Sequence, residues 1–468
     1  MLVRLTHAYT RRPQNSIAVP AASASLSIVS ALIAGVLSLA LGAYWLSAVG
    51  IVAFFYYFVR LLQEAGNDLP IESFILVMAS IQWIVGPVLT YAGLSDHWKY
   101  YMYVPVEEYM ALAVPCVIML SVGLYTFRSK KRPALVSHYG AITRQIVNRA
   151  QFLPYYLIGI GFVFSFLVDR FPPSLEFPAF ILSNIKYIGL IYLIFSDRMK
   201  HKTAVLVIAF LLTFISSLKA AMFHDLILWS AFIGMYAAYI FHPLNAKKLL
   251  MVVLGMVFIF VLQASKDLYR EKLEKQGRSE YVEKFLSSVE ERLEANEAAT
   301  GSNVERLVVR INQGWIISRI MLIVPEHVPH AEGKTVVTAL KASILPRLLF
   351  PDKPTAGGKA NYEKYTGFLL TSSTSMGISL LGEAYINYGV KGAWLFMFIF
   401  GLVSSFIIKR FFLLALQYPT IWLWFPLILL HFVKAETELL VQLNFLVKSI
   451  VMVYLFVWAN KHFLRLKL

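Results

Sequence analysis

Residues 247–264 read KKLLMVVLGMVFIFVLQA. Two lysines open onto an apolar run long enough, as a helix rising ~1.5 Å per residue, to fill the ~30 Å hydrocarbon core of a bilayer. Directly after it the chain turns polar, SKDLYREKLEK over 265–275. A basic flank, an apolar run of span length and a polar exit together predict a membrane-crossing helix.

Runs of the same kind recur on both sides of this one. They fall at 24–41, 43–62, 72–93, 106–127, 152–169, 177–196, 202–218, 223–241, 247–264, 390–408, 420–434 and 443–463, about twelve in all. The first two are joined at Gly42, as a tight hairpin or as one broken unit. Composition agrees: 58% of residues are hydrophobic, 15% are charged and the mean hydropathy is +0.64, where a soluble domain carries roughly 25% charged residues. An outer-membrane barrel would instead alternate in segments of about ten residues. The expected fold is an all-α polytopic membrane protein in three regions: an N-terminal bundle of about nine spans (1–264), a long polar loop region (265–389) and a C-terminal bundle of about three spans (390–468).

The net charge of +16 fits loops that face the cytoplasm better than a nucleic-acid surface. Arg128, Lys130, Lys131 and Arg132 share one loop; Arg198, Lys200 and Lys202 another; Lys247 and Lys248, Lys409 and Arg410 follow; Lys461, Arg465 and Lys467 end the chain. The loops Asp169 to Phe177 and Lys434 to Glu438 are not strongly basic. This bias puts both termini in the cytoplasm and 265–389 outside. Residues 1–22, with Arg4, Arg11 and Arg12, lead from Ala24 straight into further spans, so the start reads as an uncleaved first helix. Cys116 lies inside an apolar run, which predicts a small buried apolar residue and no thiolate metal site.

The outside segment begins as a charged helix from Lys266 to Ala299, with Glu271 and Lys275 at i, i+4. From Asn303 to Val324, apolar Val304, Leu307, Val308, Ile311 and Trp315 recur at helical spacing opposite Arg306 and Arg310, an amphipathic helix suited to the membrane interface. A short apolar helix at 335–345 leads into PRLLFPDKPTAGGKANYEKYTGFLLTSSTSMGISLLGEAYINYG, residues 346–389. Loops of this composition on a helical scaffold carry function.

No nucleotide-binding loop, Asp-x-Asp pair or His-Glu-x-x-His helix is present. His327 and His330 have a spacing that suits a metal, but two histidines also fit a plain loop. What remains is a set of cations: Arg306, Arg310, Arg319, Arg347, Lys353 and Lys219, the last closing the apolar run LLTFISSLKAAMFHD. A guanidinium fork grips phosphate at two oxygens, and an ionisable residue at membrane depth marks function. The dianion available at an outward-facing membrane site is a lipid diphosphate. The plainer role for each is to hold headgroups or nearby carboxylates. Glu383, bracketed by Gly382 and Gly389, is a general base, an arginine partner or an interface marker. Asp352 in FPDKP reads as a turn residue. Trp98, Tyr100, Tyr101, Tyr103, Tyr362, Tyr365, Tyr385 and Tyr388 either stack on sugar rings or form an interfacial belt.

These features resemble the bacterial O-antigen and exopolysaccharide polymerases of the Wzy type: about twelve spans, basic cytoplasmic loops and one long, late outside loop. Arg347, ten residues and then Gly358 is similar to the Arg–ten–Gly pattern of their outside loops. LPRLLFPDKP, TSMGISLLGEAYINYG and ISSLKAAMFHDLILW resemble strings common in the group. A second Arg–ten–Gly motif in an earlier outside loop is not evident. The resemblance implies a metal-independent glycosyltransferase without cofactor. It would move a growing glycan between undecaprenyl-diphosphate-linked oligosaccharides at the periplasmic face of the inner membrane. Its partners would be those lipids, the surrounding membrane and a chain-length regulator protein, with no nucleic acid. In that scheme Arg347, Arg310, Arg306, Lys219, Lys353 and Arg319 bind the diphosphate, and Glu383 or His327 takes the proton. An O-antigen ligase runs nearly the same chemistry. A lipid-linked oligosaccharide flippase, or an assembly protein that docks through its loop, are readings of other classes.

Overall fold

The computed structural model describes residues 21–198, 201–221, 223–277, 279–294, 297–345, 349–350, 353–354, 358–371 and 376–463. Arg347 and Asp352 fall outside these. Among the described residues every regular element is a helix. In chain order the helices are α1 (Ala21–Ala40), α2 (Trp45–Glu64), α3 (Ile71–Tyr91), α4 (Val106–Thr126), α5 (Arg132–Arg149), α6 (Leu153–Leu167), α7 (Pro173–Phe195), α8 (Lys202–Ala220), α9 (His224–Phe241) and α10 (Asn245–Lys275). There follow α11 (Tyr281–Glu294), α12 (Glu297–Ile311), α13 (Gly314–Ile323), α14 (Lys334–Ile344), α15 (Lys359–Thr366), α16 (Ser379–Leu414), α17 (Phe425–Ile428) and α18 (Leu439–Phe463).

Nine of these described helices are long and apolar enough to cross a membrane: α2, α3, α4, α7, α8, α9, α10, α16 and α18. The protein is a multi-pass helical membrane protein. Its helices divide by what they touch. The apolar window of α7 is 78% buried inside the protein and that of α3 72%, whereas α8 is 17% and α10 22% buried. Leu250, Met251, Leu254, Met256 and Val257 of α10 are each more than half exposed, a surface that only lipid satisfies. Where α4 crosses α16, glycines let the backbones meet: a Cβ on Gly123 would stand 2.3 Å from the Phe398 carbonyl oxygen, and one on Gly401 2.5 Å from that of Leu120.

Three of the twelve apolar runs do not become single straight spans. The run 24–41 lies in α1, which returns against α2 through a turn at Gly42, the hairpin alternative. The run 152–169 forms α6, 15 residues long and bent 85° from α5. The run 420–434 does not form a crossing helix. It makes a 3-10 turn over Pro419–Trp424, then the single turn α17, then extended and turning backbone to Glu438. Pro419 and Pro426 remove helix donors here. The irregular backbone is tolerated because it is buried among helices that satisfy it: Tyr236 donates its hydroxyl to the Trp422 carbonyl at 2.6 Å, and the Trp422 indole donates to Thr143 at 3.0 Å.

The polar segment 265–389 departs from expectation in two places. Helix α10 runs on without a break from its apolar part to Lys275, with Lys275 and Glu271 paired at 2.6 Å as the spacing predicts. The amphipathic stretch Asn303–Val324 is two helices, parted at Asn312 and Gln313. Helix α3 causes the break. A π-helical turn at Ile81–Val85, just before Pro87, leaves carbonyls free. Gln313 donates its backbone N–H to the Gln82 carbonyl at 3.0 Å, and Tyr109 donates its hydroxyl to that of Trp83 at 3.0 Å.

Two of the four basic residues of the 128–132 loop also serve inside the protein. Arg132, 4% exposed, pairs with Asp68 at 2.9 Å and with Glu72, while Arg128 pairs with Asp68 and Glu64 at 2.7 and 2.8 Å. Cys116 is buried, as expected.

Candidate functional site

The C-terminal part of the polar segment folds onto the irregular backbone after α17. Gly377 touches it: a Cβ there would stand 2.7 Å from the Glu436 carbonyl oxygen. Gly358 is left-handed, φ +73°, and a Cβ on it would stand 2.9 Å from the Met376 carbonyl oxygen. Ser379 opens α16, also left-handed at φ 65°. It donates its hydroxyl to the Ala435 carbonyl at 2.8 Å and accepts the Trp83 indole N–H at 2.9 Å. Gly358 and residues 376–379 are thereby knit to residues 435 and 436 at the face of α3.

Glu383 and Glu438 meet at this seam, each 1% exposed. The Glu383 carboxylate accepts the Thr335 hydroxyl and the Leu439 backbone N–H, both at 2.7 Å. Glu438 accepts the Asn361 side-chain amide at 3.0 Å. Burial pushes the Glu438 carboxyl above its ordinary value, and the Asn361 hydrogen bond only partly offsets this. Glu436 is driven the other way. Burial alone would raise it, but His224 at 3.0 Å, the Gln82 amide at 2.9 Å and the charge of Lys434 bring it down to about 2. Two carboxylates on one strand of chain thus hold protons differently, the arrangement that separates acid from base roles.

Beside the seam opens a cavity of about 620 Å³ lined by Phe177, Phe180, Lys353, Pro354, His431, Lys434, Val441, Asn444, Phe445 and Lys448. Lys434 donates to Asp225 at 2.8 Å, Lys353 to the Leu345 carbonyl at 3.0 Å, and the Lys448 ammonium stands 4.4 Å from the centre of the Phe177 ring. His431 Nδ1 and Asn444 Oδ1 are buried and, among the described residues, lack a hydrogen-bond partner. Burial and the Lys434 charge hold His431 down at about 3, so its imidazole is neutral. The cavity offers cations, two unfilled polar atoms and aromatic walls. It suits an anionic group attached to an apolar or sugar-like body.

A family model described as a domain of unknown function, DUF8712, matches residues 141–464. The chain belongs to this family. The DUF8712 region contains all of the cavity lining, Glu383, Glu436 and Glu438, while Gln82 and the Arg132 network precede it. No curated protein and no solved structure matches the chain.

Of the cations expected to bind diphosphate, only Lys353 lines the cavity among the described residues. Arg306 and Arg310 sit on α12 against the polar end of α10, where Arg306 stands 3.8 Å from Asp267. Lys219 is exposed at the end of α8, its ammonium 5.9 Å from the centre of the Tyr281 ring. Arg319 donates to the Thr366 carbonyl at 3.0 Å and lies between the rings of Tyr103 and Phe368, at 5.0 and 4.8 Å. His327 is exposed on the turn after α13; His330 sits within hydrogen-bonding distance of the Ile386 carbonyl at 3.1 Å. Of the aromatics, Tyr362 and Tyr365 are buried, Tyr100 packs on Trp315 at 4.7 Å, and Trp98 is 81% exposed. His431, Lys434, Glu436, Glu438, Asn444 and Lys448 belong to this region without standing out in the sequence as site residues. Their signal was polar or ionisable side chains within or between two apolar runs, which at membrane depth points to function.

Proposed function

We propose that this protein is a membrane glycosyltransferase of the polysaccharide-polymerase kind, which joins undecaprenyl-diphosphate-linked oligosaccharides. In this reading both termini are cytoplasmic, and the 265–389 segment and the cavity face the periplasm of a bacterial inner membrane. The observation that carries the reading is the cavity: three lysines and two unfilled polar atoms beside aromatic rings and a buried carboxylate seam.

Lys353, Lys434 and Lys448 hold the diphosphate of the donor, and Arg347, six residues before Lys353 in the chain, is assigned to the same anion. The bond from the anomeric carbon to the diphosphate oxygen breaks, and its electron pair leaves on that oxygen, where fixed cations stabilise it. The acceptor hydroxyl oxygen forms the new glycosidic bond, and its proton passes to a carboxylate of the Glu383–Glu438 seam. Holding two membrane-bound substrates in one cleft supplies much of the remaining rate.

The test is a cell-free assay with purified protein and lipid-linked repeat units, read as a ladder on a gel. Ladder formation without an added energy source is expected, and Lys434→Met should abolish it. Single transfer to a lipid A–core acceptor would make the protein a ligase. Movement of lipid between leaflets without any product would make it a flippase.

A further inference from the structure

A second set of cations gathers away from the cavity, at the polar end of α10. Lys266 and Arg270 lie one turn apart on α10, Arg292 lies on α11, and Arg306 and Arg310 lie one turn apart on α12. Lys266 is 8% exposed. The positive charges of Arg310 and Arg270 act on its ammonium. The charge of Arg306 acts on Arg292, whose Nε is buried and, among the described residues, has no acceptor.

Among the described residues, the carboxylates acting on Lys266, Arg270 and Arg292 are Asp267, Glu274 and Glu291. Asp267 is 57% exposed and 3.8 Å from Arg306, Glu291 is taken by Lys272 at 2.6 Å, and Glu274 is left to Arg270. Like charges gathered in one place repel each other unless an anion joins them. Ammonium and guanidinium donors converging from three helices match phosphate oxygens. The depth is informative as well. From Asn245 to Lys266 helix α10 rises about 30 Å at ~1.5 Å per residue, the hydrocarbon thickness of a bilayer. The cluster therefore stands at the headgroup level opposite Lys247 and Lys248.

We propose that Lys266, Arg270, Arg292, Arg306 and Arg310 form a binding site for a phosphate-bearing lipid headgroup, separate from the lysine cavity. The proposal does not depend on the glycosyltransferase reading. It gives Arg306 and Arg310 a phosphate to bind at a different place from the donor diphosphate.

The test uses the full chain. Protein in a phosphate-free neutral detergent is titrated with inorganic pyrophosphate. In parallel it is placed in nanodiscs of phosphatidylcholine alone or with phosphatidylglycerol, and Tm is read in each. Both probes should raise the wild-type Tm, and Lys266→Met and Arg310→Gln should lose most of each shift. Without a probe, Lys266→Met should melt no lower than wild type, because a charge repelled by Arg270 and Arg310 has been removed. A shift with phosphatidylglycerol alone assigns a phospholipid headgroup, and a shift with pyrophosphate alone assigns a diphosphate. Either supports the site. No shift with either probe, or shifts that survive unchanged in both variants, overturns it. If Lys266→Met fails to fold, Arg292→Gln replaces it in the comparison.

Discussion

The Glu383 carboxylate accepts the backbone N–H of Leu439 at 2.7 Å, tying the first turns of α16 to the residue that follows Glu438. The second Glu383 oxygen is filled by Thr335, whose hydroxyl oxygen in turn accepts the Asn387 amide at 2.7 Å. Both carboxylate oxygens are therefore needed as acceptors. Glu383→Gln keeps one oxygen for Leu439 but turns its amide toward Thr335, whose hydroxyl proton loses its acceptor, at a cost of about 1–3 kcal/mol for the orphaned group. A lower Tm in detergent and loss of long polymer are expected together. A Gln variant as stable and as active as wild type would remove Glu383 from the seam and from the reaction.

The cavity lysines predict a graded result. Lys353→Met, Lys434→Met and Lys448→Met each remove one fixed cation from the anion, and removal of one such stabilising group typically costs on the order of 10²-fold in rate. Polymer yield per unit time measures this. Lys434→Met should be the most severe, since it also strips Asp225 of its 2.8 Å partner.

Acid stability should report on Glu436. Its folded-state value, about 2, lies below the ordinary 4.5, so its ionised form contributes stability above the ordinary value. That contribution is lost as pH falls from about 4.5 through about 2. The groups that hold it down are His224, Gln82 and Lys434. A Tm-against-pH profile of wild type should fall across this window, and Glu436→Gln should be flatter there. Parallel profiles would contradict the assignment.

Two glycines should behave oppositely. Gly377→Ala pushes a methyl to 2.7 Å from the Glu436 carbonyl oxygen. Forcing apart packed backbone costs roughly 1–3 kcal/mol, and the seam should lose activity with it. Gly255→Ala on α10 meets nothing within 4 Å, and replacing a helical glycine there should stabilise by about 0.5–1 kcal/mol. Thermal melts of the two variants compare them directly.

Removing Arg132 should unfold more than it frees. Arg132→Gln leaves Asp68 and Glu72, 2% and 1% exposed, without that guanidinium. Breaking a buried pair costs about 3–5 kcal/mol. Low yield of folded protein by size-exclusion chromatography is the expected reading, whereas a normal yield would show that Arg128 alone holds the carboxylates.

Hydropathy put an apolar run on each of the nine described helices that are long and apolar enough to cross a membrane, because apolar length is what lipid demands. It overcounted at 420–434, where apolar composition served burial inside the protein instead of a crossing. Pro419 and Pro426 were the available warning. Within the site, Glu383 and Lys353 were legible from their Gly- and Pro-rich surroundings. Glu438 and Lys434 were not, since their chemistry arises from segments far apart in the chain. The spacing of Arg306 and Arg310 correctly put them on one helix face. Their neighbour Lys266 belongs to another helix, and periodicity within one element is blind to such contacts.

Helix α16 carries non-helical backbone at Gly389, with φ 63° and ψ −167°. The carbonyl of Ile386, just before this point, accepts the Ala331 backbone N–H at 2.9 Å, so the ten residues from Ser379 are anchored to the turn before α14. The remainder, 390–414, is held separately, with Gly401 against the Leu120 carbonyl of α4. Gly389 is thus the joint between the fixed segment that carries Glu383 and a span bound to α4, in a backbone conformation essentially reserved to glycine.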